Sequence, residues 1–138
     1  MIRLVLGFVV LVIMSCASTS ALIPIKFEYQ DDPGGKRVKV TYLNSSRYAM
    51  CLLPENWPNT AGKINQASDI VFLVVGKERF PIENVNTGYC PKGCATRVAP
   101  GTQVSASIAY ADFGLPDRLI NAQKSLEFSP VAFKCPDK

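Results

Sequence analysis

The chain contains no histidine. That removes Ser-His-Asp and Cys-His nucleophile arrangements, histidine-ligated metal sites, and the one side chain that titrates near neutral pH unaided. Methionine is nearly absent too: of three, only Met50 lies beyond residue 14, so no thioether set for copper exists. No glycine-rich phosphate loop occurs. Nor is there a concentrated basic patch. The formal charge is +4, and Lys26, Lys36, Arg37, Lys39, Lys63, Lys77, Arg97 and Lys124 are scattered, which sets nucleic acid aside. The longest apolar run, Leu4 to Met14, falls short of the ~20 residues a membrane-spanning helix needs. Carboxylates such as Glu55, Asp69, Glu78, Glu83, Asp112 and Glu127 are present, but no two are marked as a glycosidase-type pair. The expectation is a chain without catalytic residues, metal or cofactor.

What the sequence does contain begins at its start. Arg3, the apolar run, and the small residues Ser15, Ala17 and Ser18 have the layout of a secretory signal peptide over residues 1–15. Ile13-Met14-Ser15-Cys16 resembles the lipobox of bacterial lipoproteins, with an aliphatic residue three before the cysteine and a small residue on either side of it. Met14 departs from the small or branched residue usual at its position. The resemblance implies that Cys16 carries fatty acyl chains, palmitate among them, after the preceding peptide is removed. It also implies that Ala17 directs the protein to the outer membrane, facing the periplasm. Residues 16–22 would then be a lipidated tether, and two or three acyl chains anchor stably where one does not. Cleavage after Ala17 or Ala21 would instead release a periplasmic or secreted protein without lipid.

Four cysteines remain beyond Cys16, and an oxidising compartment turns them into two disulfides. The Pro91-Lys92-Gly93 turn can bring Cys90 to Cys94, which leaves Cys51 for Cys135. A zinc site would show two close cysteine pairs rather than one.

From residue 23 to 138 the pattern is that of strands. Ile23, Ile25, Phe27 and Tyr29 alternate with polar residues or Pro24, predicting one strand, and Asp31 to Gly35 reads as a solvated turn. Val38, Val40 and Tyr42 mark a second strand, Asn44-Ser45-Ser46 a turn, and Tyr48, Met50 and Leu52 a third strand. Ile70–Val75 is a run predicted to be buried on both faces, with Gly76-Lys77 as a hairpin into Glu78–Ile82. Val104, Ala106, Ile108 and Tyr110 point inward from another strand. Asp117 to Gln123 suggests one or two helical turns capped by Asp117. Leu126, Phe128, Val131 and Phe133 close the domain around Pro130. Seven to nine short strands of this kind make an all-β, two-sheet antiparallel sandwich. The run from Val38 to Tyr110 is similar to small immunoglobulin-like or fibronectin-like envelope domains, without the cysteine–tryptophan–cysteine signature of antibody domains.

Two regions stand out as contact candidates. Trp57, in the loop Pro54 to Gly62, either plugs the open end of the core or anchors a partner. Tyr89, Lys92 and Arg97 flank the Cys90–Cys94 segment, where a strapped loop loses little entropy on binding. Two functions fit: a protein-binding or inhibitory, immunity-like module tethered to the envelope, and a structural accessory of a secretion or surface-assembly complex. Each requires a protein partner. Neither fixes an oligomeric state.

Overall fold

The computed structural model describes residues 21–65, 69–86 and 95–136; the leader, Cys16, Tyr89, Cys90, Lys92 and Cys94 lie outside the described residues. Within them the chain is all-β. Ten strands follow in order: β1 Ile23–Pro24, β2 Glu28–Asp32, β3 Arg37–Leu43, β4 Met50–Leu52, β5 Val71–Val75, β6 Glu78–Pro81, β7 Thr96–Val98, β8 Gln103–Ala109, β9 Ser125–Phe128 and β10 Val131–Lys134. They form three antiparallel arrays, in the orders β2-β3-β8, β6-β5-β9 and β1-β10-β4-β7. Inward residues from all three meet in one cluster, among them Val40 and Ile108, Leu73 and Phe128, and Leu52 and Ala132. The sandwich therefore holds, with more strands than expected and with its second layer divided.

The division has a local cause at Pro130. That residue is fully buried and lacks an N–H, so it cannot continue the ladder that β9 makes with β5. The chain leaves that sheet, and β10 pairs instead with β4 and β1.

The long central strands are the ones the alternation marks. In β3, Val38, Val40 and Tyr42 are buried while Arg37, Lys39 and Leu43 are exposed, and the strand pairs in register with β8 from Arg37↔Ala109 to Leu43↔Gln103. Gly76 turns the β5–β6 hairpin at φ 60°, a conformation that favours glycine. β5 departs from the expectation of two buried faces. Val71, Leu73 and Val75 are buried, but Phe72 and Val74 are half-exposed, and the Arg79 guanidinium lies 4.0 Å from the Phe72 ring centre.

Four further expectations are corrected. The alternation from Ile23 to Tyr29 is not one strand. β1 pairs with β10, Ile25 N–H donates to the Pro130 carbonyl at 3.1 Å, and Phe27 packs edge-on against Phe128 at 5.3 Å before β2 joins β3. The crossing between sheets shifts the facing, so Tyr29 is exposed rather than inward. Asp31 and Asp32 belong to β2, opposite Val38 and Arg37, and the turn is confined to the residues after them. Asp117–Leu119 is a single 3-10 turn after Pro116, with no side-chain cap bond. β7 lies where a plain connection was expected.

The Cys51–Cys135 disulfide is present, closing 84 residues of separation beside the β4–β10 pairing.

Candidate functional site

Trp57 is 2 % exposed. Its loop turns tightly, with the Asn56 and Trp57 N–H groups both donating to the Leu53 carbonyl at 2.9 Å. Asn59 Oδ1 then accepts from the N–H of Ala61 and Lys63 at 2.9 and 3.0 Å, the local side-chain bonding that makes asparagine a turn residue. Gly62, at φ 77°, lies so close to β8 that a Cβ there would come within 1.9 Å of the Ser107 carbonyl oxygen. The loop is thereby pressed onto the sandwich, and the indole reaches the Tyr42 and Phe128 rings, each 6.2 Å centre to centre. This is the placement of a plug. The ring faces the core, not a partner.

The charge cluster that sequence reasoning missed sits around Asp31. The Lys124 side chain is 1 % exposed, and its ammonium donates to Asp31 Oδ2 at 3.2 Å and to the carbonyls of Ile120 and Ala122, the latter at 2.8 Å. The Tyr110 hydroxyl donates to Asp31 Oδ1, and Lys124 Nζ lies 4.7 Å from the Tyr110 ring centre. A buried ammonium needs such a shell, because an unpaired charge in the interior is costly. Every donor direction of Lys124 is used, so this is a strut joining β2 to the segment after Leu119, not a free base. The only sequence hint was Asp31 itself, which composition assigns to a solvated turn.

That strut carries a pH signature. Burial, then the Asp31 hydrogen bond, push the Tyr110 phenol far above its ordinary value of 10.0. A proton held more tightly in the folded chain means that the unfolded chain ionises first as pH rises. This contribution to stability is therefore complete below about pH 10 and is lost progressively above it. Urea denaturation across the alkaline range should show stability falling above that point. In Tyr110→Phe the fall should be shallower, and an unchanged alkaline slope would contradict the assignment.

The remaining acids are dispersed. Lys63 pairs with buried Asp112, Arg79 Nε donates to Glu127 at 3.0 Å, and Asn65 donates to Glu55 at 3.4 Å. Asp69 and Glu127 share a shallow depression of about 330 Å3, with Glu127 already engaged by Arg79. Among the described residues no three Cys, Asp or Glu side chains gather to hold a metal ion. Asp32, half-buried, is held below the usual carboxylate range by the Gly35 N–H and then by Arg37.

Two surface features remain. The first is an open groove of about 430 Å3 bounded by β1, the end of β3, the 44–48 turn and the end of β10. Its wall is set by Asn44, which is fully buried. The Asn44 amide donates to the Tyr48 and Val98 carbonyls at 2.8 and 2.9 Å, and its oxygen accepts from the Ser46 N–H and hydroxyl at 3.0 and 2.7 Å. A side chain so engaged holds the turn. Tyr48 is thereby propped outward, with Lys134 Nζ 4.3 Å from its ring centre.

The second feature is β7, which among the described residues has a partner on one side only, β4. Arg97 is exposed at its middle, with one long bond of 3.4 Å to the Pro136 carbonyl. Of the three residues expected around the Cys90–Cys94 segment, Arg97 is the one within the described residues. No protein-family model, curated protein or solved structure matches this chain.

Proposed function

We propose that this chain is a non-catalytic, protein-binding module of the bacterial cell envelope. In this reading acyl chains on Cys16 hold it at the outer membrane facing the periplasm, and it acts in an inhibitory, immunity-like way on a protein that reaches that compartment. The leader and lipobox at residues 1–16 support the location. The observation that carries the binding role is the β7 edge. Its outer main-chain groups are unpaired among the described residues, Arg97 stands exposed on it, and the chain enters it directly from the Tyr89 and Lys92 segment. A free edge offers a row of hydrogen-bonding groups, and arginine is over-represented among residues that dominate binding energy.

Arg97→Glu tests this. Capture of the partner from solubilised envelopes should weaken about thirtyfold, a hot-spot loss of ~2 kcal/mol, with the melting temperature unchanged. Equal capture by both forms would end the β7 assignment. The accessory reading draws on a different edge, β2, whose outer side has no partner strand among the described residues over Glu28–Asp32. On that reading the captured partner is a component of an assembled envelope complex, and Arg97→Glu leaves its capture intact.

A further inference from the structure

The groove beside β1 gathers exposed apolar side chains that the core does not use. Ile23, Leu43 and Tyr48 line it at 47, 55 and 48 % exposure, and Leu22, the neighbour of Ile23, is 58 % exposed. These are four of the six large hydrophobic side chains most exposed among the described residues, so the exposure is concentrated at one place. Apolar clusters of this kind mark interaction surfaces. Among the described residues, the charged side chains lining the groove are Lys26 and Lys134, and no carboxylate lines it. Lys134 stands over the Tyr48 ring, so a cation and an amphipathic aromatic side chain share the rim.

We propose that this face is the surface the domain lays against an anionic phospholipid bilayer, with Leu22, Ile23, Leu43 and Tyr48 dipping into the headgroup boundary and Lys26 and Lys134 meeting lipid phosphates. The proposal rests on the anchored reading of Cys16 given above, and on chain length. Leu22 is six steps along the chain from Cys16, so a fully extended tether spans about 20 Å. A groove whose first wall begins at the end of that tether cannot leave the neighbourhood of the membrane. Interfacial binding strength grows with buried apolar area and with attraction to anionic lipid, and both are offered here. Tyrosine is also enriched at the headgroup level, where its ring and hydroxyl meet different surroundings.

The test uses the full chain in vesicles of phosphatidylethanolamine with phosphatidylglycerol, read by hydrogen–deuterium exchange and compared with neutral detergent micelles. Backbone amides of Leu22, Ile23, Ile25 and Lys26 and of residues 43–48 should exchange about tenfold more slowly on vesicles, while those of β8 are unchanged. Reversing both lysines, Lys26→Glu with Lys134→Glu, should abolish the difference, since each lysine near an anionic surface contributes about fivefold in affinity. Acylated protein that floats with the vesicles but shows no protection would overturn the surface and leave anchoring intact. An unacylated Cys16, seen in the mass of the amino terminus, together with protection on vesicles would uphold the surface and overturn the anchoring. Protection without lipid, produced by raising protein concentration or adding envelope extract, would assign the groove to a second copy or a protein and overturn the proposal.

Discussion

Replacing Cys51 and Cys135 together with alanine lowers folding stability by about 4 kcal/mol, which for a domain of this size is about 15–20 °C in melting temperature. The reason lies in the unfolded chain. Cross-linking residues 84 apart removes the freedom of a long loop, and in the chain-entropy account that cost grows with the logarithm of loop length. The native side loses little, because both cysteines are buried and their strands stay held: Phe133 remains opposite Cys51, and the Cys135 N–H donates to the Ala49 carbonyl at 2.9 Å. Urea denaturation of the paired variant measures the difference. A loss below ~1 kcal/mol would mean that the unfolded chain keeps this contact by other means. The buried position also implies that mild reductant acts on the folded protein slowly, through opening of the β4–β10 pairing.

Trp57→Ala should cost about 4 kcal/mol. The ring is among the largest fully buried side chains and touches both layers, Tyr42 on β3 and Phe128 on β9, so its removal leaves a cavity where the layers meet. Trp57→Phe keeps an aromatic ring there and removes an indole N–H that meets no acceptor among the described residues, so it should cost no more than ~2 kcal/mol. Being the sole tryptophan, the residue reports on itself: its fluorescence should be that of an apolar site and shift to the red on unfolding. If Trp57→Ala leaves the melting temperature unchanged but abolishes partner capture, the plug assignment is wrong.

Much of the fold is legible in the chain because alternation is a local property. Val38, Val40 and Tyr42, or Ala106 and Ile108, point to one side of a strand whatever lies opposite, whereas Tyr110, expected in the same strand, begins a 3-10 turn. The Gly76 turn and the Cys51–Cys135 pairing are legible for similar reasons, one through local backbone freedom and the other through cysteine count. The failures have a common form. Ile23 to Tyr29 alternates throughout, yet Ile23 and Tyr29 pair in two different sheets, and no local signal records that the partner changes. Asp31 reads as a turn acid because its neighbours are Asp32, Pro33 and glycines, whereas its partners Tyr110 and Lys124 lie 79 and 93 residues away. Two readings of Trp57 were open because burial of a loop tryptophan depends on what the loop is pressed against. Here the close approach of Gly62 to Ser107 settles it.

From its residues by themselves, the chain specifies a histidine-free chemistry, strands of period two and a sulfur cross-link. Tertiary structure alone decided that the indole turns inward, that a lysine is buried on Asp31, and that Ile23, Leu43, Tyr48 and Lys134 meet around one groove. The physical reason is distance along the chain. Side-chain direction within a strand follows from its own backbone geometry, but the company a side chain keeps follows from strand pairing, and pairing joins residues more than a hundred positions apart, as Ile23 and Ala132 are.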